Sequence, residues 1–76
     1  MILGIVYGEG GNKPLPLVGA NVVWLGTTSG TLTNAKGQFK IERHKTSDTL
    51  VVSYVGYQTQ KVYVSYNDWE VMVSLD

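Results

Sequence analysis

Residues 19–39 constrain the fold of this chain most strongly, because they begin with an alternating apolar segment at residues 20–25 and continue through a Gly-Thr corner, a threonine-rich segment and a turn. Ala20, Val22 and Trp24 share one side of an extended segment, since alternate residues of a strand point to opposite faces. We assign these three side chains to a core face, and Val23 and Leu25 to the opposite face. The stretch predicts a β-strand with one buried side.

A threonine-rich segment, residues 30–34, follows this strand. It predicts a short strand at a sheet edge, because β-branched threonine suits a half-buried pleated surface. Asn34 and Gly37 then predict a tight turn, since asparagine bonds to its own backbone and glycine supplies a positive φ. Two corners this close together are typical of hairpins.

The rest of the chain shows the same alternation, interrupted by turn signals. Residues 8–16, with three glycines and two prolines, predict an irregular loop, and Gly56 predicts a bulge or tight bend. Seven short runs predict an all-β, seven-stranded antiparallel β-sandwich that forms one domain over residues 1–76. The inward side chains predicted for the later strands are Phe39, Ile41, Leu50, Val52, Tyr54, Val62, Val64, Val71, Val73 and Leu75.

The first strand is apolar on both faces, with Leu3, Ile5 and Tyr7 opposite Ile2, Gly4 and Val6. A free-standing sandwich normally leaves one face of each sheet in water. We therefore predict an interaction patch that consists of Leu3, Ile5, Tyr7, Val23 and Leu25. The alternative is a loop or tail that covers these residues, or apolar atoms that simply stay exposed.

Charge and composition exclude several classes of protein. Six basic and six acidic residues give a net charge of zero without blocks of either sign, which argues against a nucleic-acid surface. The absence of cysteine excludes disulfides and thiolate metal sites. No apolar run approaches the roughly 20 residues of a membrane helix, and the chain does not begin with a signal-peptide pattern. If the protein is exported, we expect its targeting segment to lie outside this sequence.

The candidate chemical groups do not assemble into a recognisable catalytic or metal-binding motif. His44 is the one histidine, so it lacks a second histidine or a cysteine as a co-ligand. Asp48, Asp68 and Glu70 fit turn and rim positions better than a glycosidase pair or a calcium loop. We predict no catalytic, cofactor-binding or metal-binding residues and no enzymatic activity.

The aromatic residues leave two readings open. Trp24 and Tyr54 lie on the inward register and are predicted to be core. A second group either forms a sugar-stacking platform or packs at the surface; it consists of Tyr57, Tyr63, Tyr66 and Trp69.

The turn and strand motifs together resemble a known family. The motifs are Gly19-Ala20-x-Val22, Gly26-Thr27, Gly30-Thr31-x-Thr33-Asn34, Gly37-x-Phe39 and Ser53-Tyr54-x-Gly56-Tyr57, with Gly4, Val6, Pro14, Leu15, Leu50 and Val62 at matching spacing. In this order they resemble the carboxypeptidase-regulatory-like domain. The chain departs from the family pattern at Asn34, where aspartate is usual, and in a longer segment at residues 13–18.

The resemblance implies a transthyretin-like (prealbumin-type) Greek-key sandwich of seven strands. In Bacteroidetes such domains commonly precede the plug of SusC-type TonB-dependent outer-membrane receptors, which import glycans and other nutrients. The resemblance therefore implies a non-enzymatic module at the periplasmic face of the outer membrane, or at the cell surface, with the receptor plug and barrel or periplasmic proteins as partners. It implies no cofactor.

Two other functions stay open at this point. One is a carbohydrate- or peptide-binding module of a surface protein, and the other is the regulatory appendage of a carboxypeptidase, since the family also occurs on peptidases. A homodimer formed by edge-strand pairing is a further possibility. The edge candidates are residues 31–33 and the two terminal strands.

Overall fold

The computed structural model describes residues 1–9 and 13–76, which form strands and turns without a helix. No helix in this part of the chain is therefore long and apolar enough to cross a membrane. The strands are β1 (Ile2–Gly8), β2 (Leu15–Pro16), β3 (Asn21–Trp24), β4 (Gly30–Leu32), β5 (Gln38–Ile41), β6 (Thr49–Ser53), β7 (Gln60–Tyr63) and β8 (Glu70–Leu75). They form two four-stranded sheets, so the predicted all-β sandwich is confirmed.

The first sheet is built around β1. β5 and β2 pair with β1 in antiparallel fashion, at its beginning and at its end. β8 runs parallel to β1 from Leu3 beside Glu70 to Gly8 beside Leu75. Because the same β1 residues pair with β8 and with β5 or β2, β8 must occupy one edge of β1 while β5 and β2 share the other.

Two sequence predictions about the terminal strands are corrected here. The pairing is not antiparallel throughout, because β1 and β8 are parallel. β8 lies at an edge as expected, but β1 is central. The alternation within a strand specifies its own two faces and leaves its neighbours undetermined, since pairing depends on segments far away in sequence. The connection between β7 and β8 passes from the second sheet to the first, and β8 buries Val73 and Leu75 in the core.

The second sheet is antiparallel, in the order β4, β3, β6, β7. β4 lies at an edge, as predicted. The predicted turns are present: Gly37 has φ 75° and Gly56 has φ 88°, which glycine adopts without steric cost. Oδ1 of Asn34 accepts backbone N–H groups of Lys36 at 2.9 Å and Gln38 at 3.0 Å, which closes the first of these turns.

The described strands number eight, one more than predicted, because Leu15 and Pro16 pair with Gly8 and Tyr7. The prediction of an irregular loop over residues 8–16 is therefore wrong at these two positions; residues 10–12 of that loop lie outside the described residues. A proline is tolerated in an edge strand, where its missing N–H would face away from the ladder. The next residue, Leu17, continues the contact by donating its N–H to the Val6 carbonyl at 3.0 Å.

The core lies between the two sheets and is continuous. It contains nearly all of the side chains predicted to point inward, and only Tyr54, Val62 and Val71 are partly rather than fully buried. Burial of each large side chain contributes about 2–3 kcal/mol to the free energy of folding. The largest fully buried members are Ile2, Val6, Val22, Trp24, Leu50, Val52, Val64 and Leu75.

Polar groups inside the sandwich are paired. The Trp24 Nε1–H donates to the Glu42 carbonyl at 2.8 Å, which links β3 to the segment after β5. Thr33 is a buried polar residue, and its hydroxyl donates to the Leu17 carbonyl at 2.5 Å and accepts the Ala20 N–H at 2.9 Å. No buried side-chain nitrogen or oxygen within the described ranges lacks a partner.

Candidate interaction surface

The five residues of the predicted interaction patch lie on two different surfaces. Leu3, Ile5 and Tyr7 belong to β1, on the outer face of the first sheet. Val23 belongs to β3 and Leu25 follows it, on the outer face of the second sheet. Because the core separates the two sheets, the five residues do not form one patch. An interaction role for either group stays a prediction.

On the first sheet, Leu3, Ile5 and Tyr7 form a stripe along the middle of the outer face, which we call the β1 stripe. Cross-strand pairing places Lys40 and Glu70 on either side of Leu3. Leu3 is 40% exposed, while Ile5 and Tyr7 are partly buried. The β1 stripe is thus a narrow apolar band that is flanked by side chains of opposite charge at its Leu3 end.

A groove of about 580 Å³ runs beside the β1 stripe. Two of its apolar lining residues, Leu32 and Met72, were not part of the predicted interaction patch. Leu32 is 60% exposed and Met72 is 73% exposed; both line the groove together with Leu3 and Ile5. Met72 was correctly predicted to point outward. Its membership of this surface depends on the β1–β8 pairing, in which Ile5 lies beside Met72, and no local sequence signal specifies that pairing.

On the second sheet, Val23 and Leu25 form a smaller surface. Leu25 is 45% exposed, and Val23 is partly buried beside Gly30, its partner on β4. A Cβ atom at Gly30 would lie 2.7 Å from a Val23 methyl group, so the valine occupies the space that a larger residue would need. This packing leaves Leu25 as the more accessible of the two.

The aromatic residues divide between the core and the surface. Tyr57 packs against the core and against Tyr54, with ring centroids 5.8 Å apart, so it is not part of a solvent-facing platform. Tyr63, Tyr66 and Trp69 are 66%, 87% and 60% exposed. These three residues are the available candidates for stacking against a sugar or a peptide.

Three of the polar side chains considered for chemistry accept hydrogen bonds from residues close to them in sequence, and the fourth, Glu70, begins β8. The His44 Nδ1 accepts the N–H of Thr46 at 3.2 Å. Asp68 accepts the Ser65 N–H at 3.0 Å, and Asp48 accepts the Thr49 hydroxyl at 3.2 Å. Within residues 1–9 and 13–76, no group of three or more His, Cys, Asp or Glu side chains is placed to hold a metal ion.

Arg43 fastens the last turn to the first sheet. Its guanidinium donates to the Ser65 carbonyl at 2.8 Å and also to the Asp68 carbonyl. The same group lies 5.9 Å from the centre of the Tyr66 ring, within the range of a cation–π contact. The Arg43 side chain therefore holds the turn that precedes β8.

Comparison with known proteins identifies the family. The family model described as the CarboxypepD_reg-like domain matches residues 2–75, almost the whole chain. The chain belongs to this family. The structure explains one of the family's recurring positions: Gly37 has a positive φ, and a Cβ atom there would lie 2.6 Å from the Val6 carbonyl oxygen.

Several relatives of this CarboxypepD_reg-like domain are TonB-dependent receptors. The chain is 48% identical to the TonB-dependent receptor SusC of Bacteroides thetaiotaomicron over 50 residues, which cover 66% of the chain and 5% of that receptor. Two TonB-dependent receptors of Formosa agariphila are 38% identical over 61 residues and 45% identical over 67 residues. These alignments cover 80% and 88% of the chain and 6% of each receptor. The chain thus corresponds to a small part of each relative.

Proposed function

We propose that this CarboxypepD_reg-like domain is the N-terminal periplasmic extension of a TonB-dependent outer-membrane receptor that imports nutrients such as glycans. One observation carries the proposal: 66% to 88% of the chain aligns with small parts of three TonB-dependent receptors. The domain serves there as a non-enzymatic accessory module, and the chemistry belongs to other parts of the receptor.

The fold supports a role as a rigid spacer and contact module. The core is continuous across both sheets, and the buried side-chain nitrogen and oxygen atoms of the described ranges all have hydrogen-bond partners. Such packing resists internal rearrangement. The module therefore acts as a rigid spacer and does not change its own shape. Its contacts must then come from the outer faces and edges of the sheets.

The β1 stripe is the surface that we assign to contact with another domain of the receptor. An apolar band with the charged residues Lys40 and Glu70 at one end resembles part of a small interface, in which apolar residues lie beside a polar rim. The second-sheet surface at Leu25 is smaller and serves as the internal comparison.

Site-specific crosslinking in the intact receptor tests this assignment. A photo-reactive residue replaces Ile5 on the β1 stripe in one variant and Leu25 in a second, and crosslinked peptides are identified by mass spectrometry. We expect peptides from the receptor plug with the Ile5 variant and few with the Leu25 variant. Equal yields from both positions, or none from Ile5, would contradict contact through the β1 stripe.

The location is tested separately from the contact. A protease site placed after Tyr66, in the exposed turn at residues 65–68, should resist protease in intact cells and be cleaved once the outer membrane is permeabilised. Cleavage in intact cells would place the domain at the cell surface and refute the periplasmic location.

A second candidate function is carbohydrate binding, favoured by the exposure of Tyr63, Tyr66 and Trp69. Since Trp24 is buried and Trp69 is exposed, saturable quenching of Trp69 fluorescence by an oligosaccharide would support it. Loss of that signal in Trp69→Phe, with unchanged folding, is the matching control. An unchanged emission spectrum across a glycan panel would remove this candidate.

A further inference from the structure

The four sheet edges differ in how well they are protected against pairing with another strand. β2 has two residues, one of them proline, and β4 has three. β5 and β7 each carry a lysine, Lys40 and Lys61. Short strands, prolines and lysines are the usual means by which proteins block edge pairing. β8 has six residues and carries its one charge, Glu70, at its first position, so it is the least protected edge.

The hydrogen bonds to β1 show which groups of β8 face outward. The Leu3 N–H donates to the Trp69 carbonyl at 2.9 Å, and the Glu9 N–H donates to the Leu75 carbonyl at 2.8 Å. Backbone groups of successive strand residues point alternately to the two edges. The N–H and C=O groups of Glu70, Met72 and Ser74 therefore point away from β1.

This outward row is continuous across the strand. At its end, the Asp76 carbonyl accepts the Gln58 N–H at 2.8 Å, which closes the edge beyond Ser74. In the part of the chain that the structure describes, no backbone bond of this kind reaches Glu70, Met72 or Ser74. Glu70, Met72 and Ser74 thus present a row of backbone donors and acceptors that can pair with another extended strand.

The sequence of β8 is complementary to itself in one antiparallel register. When Met72 faces Met72 of a second copy, Glu70 faces Ser74 of that copy, and every outward backbone group is used. No like charges are then opposed, whereas opposed like charges would destabilise the pair. On the inner face, Val71 faces Val73 of the second copy, and β-branched cross-strand pairs are favourable.

We propose that two copies of this chain form a two-fold symmetric dimer by antiparallel β8–β8 pairing centred on Met72. The pairing joins the two first sheets into one continuous sheet and covers Met72, which is 73% exposed in the single chain. A contact between two edge strands is smaller than a standard interface, so the dimer is weak and its population rises with concentration.

Sedimentation over a wide concentration range, paired with two variants of opposite charge, tests the dimer. Met72→Lys and Met72→Glu each place like charges opposite one another, and we expect each to weaken dimerisation by about tenfold or more. An equimolar mixture should restore a dimer that contains one copy of each, because lysine then faces glutamate. Tyr63→Lys, on the exposed face of β7, is the matched control and should leave the dimer unchanged.

Amide hydrogen exchange of the unmodified chain gives a readout that does not depend on these variants. The amides of Glu70, Met72 and Ser74 should gain protection as concentration rises, while the amide of Lys61 should not. A chain that stays monomeric at millimolar concentration overturns the proposal. So does a dimer that both Met72 variants leave intact, or one without concentration-dependent protection of the Met72 amide.

Discussion

Thr33 joins two segments that the sheets leave unconnected. Its hydroxyl satisfies the Leu17 carbonyl and the Ala20 N–H inside the protein. Thr33→Val keeps the shape but removes the hydroxyl, which leaves both backbone groups unpaired, so we expect a loss of about 2–3 kcal/mol in the free energy of unfolding. Urea denaturation measures it. Thr33→Ser, which keeps the hydroxyl, should lose about 1 kcal/mol for the missing methyl group; equal losses would assign the effect to packing.

Asn34 shows how a departure from the family pattern can be neutral. The atom that closes the turn is Oδ1, which accepts the N–H groups of Lys36 and Gln38. Aspartate presents the same oxygen, so Asn34→Asp should change the free energy of unfolding by less than about 0.5 kcal/mol. Asn34→Ala removes the acceptor and should cost about 1 kcal/mol. Thermal unfolding of the two variants side by side checks the contrast, and an equal loss in both would refute this role of Oδ1.

For single residues, the sequence predicted which way a side chain points but not which groups surround it in the folded protein. Alternation placed Trp24 and Phe39 in the core correctly, because the two-residue period of a strand is a local property. The hydrogen-bond partners of Thr33 could not be predicted, since Leu17 and Ala20 reach it only after the sheets have packed. For the same reason the sequence could not show that the five residues of the predicted patch lie on two different sheets: the pattern separates the two faces of each strand without showing which strands lie side by side.

Among the elements, β1 depends on a glycine at its centre. The Phe39 ring lies across Gly4, and a methyl group there would overlap the ring atoms. Gly4→Ala should displace the ring and destabilise the fold by about 1–3 kcal/mol. Combining it with Phe39→Leu should recover part of the loss, because the smaller side chain leaves room for the methyl group. A double-mutant cycle measured in urea checks this coupling; strictly additive losses would contradict it.

β8 offers a contrast between its two edges. The Met72 N–H points outward, whereas the Val73 N–H points to β1. Met72→Pro should therefore keep the fold with a loss of about 1 kcal/mol or less, while Val73→Pro removes a ladder bond inside the sheet and should cost about 3 kcal/mol or more. Circular dichroism with thermal melts distinguishes them. If the two prolines were equally damaging, the assignment of outward groups on β8 would be wrong.

Strand identity was easier to predict than strand pairing. β3, β5 and β6 contain clear alternation, and each buries the side chains that were predicted to point inward. β2 was missed, because Leu15 and Pro16 lie among residues that break regular structure and become a strand only through pairing with Tyr7 and Gly8. The parallel β1–β8 ladder joins the two ends of the chain, and no pattern within either strand reports so distant a neighbour.

For the whole molecule, the single core between the sheets predicts cooperative unfolding. Neither sheet has a separate set of buried side chains, so loss of one exposes the other. A core in a domain of this size supplies about 3–5 kcal/mol of net stability. Fluorescence of the buried Trp24, measured in Trp69→Phe, and far-ultraviolet circular dichroism should give one coincident urea transition. Separate midpoints would show that the sheets unfold independently.

The parallel ladder between β1 and β8 has a mechanical consequence. Both strands run in the same direction, so the first residue of β1 and the last residue of β8 lie at opposite ends of the ladder. The distance between these ends is about 20 Å for strands of this length. Tension applied through the two ends pulls these neighbours in opposite directions along their shared axis. The rungs are then loaded together in shear, and the domain resists stretching until the whole ladder yields at once rather than unzipping rung by rung.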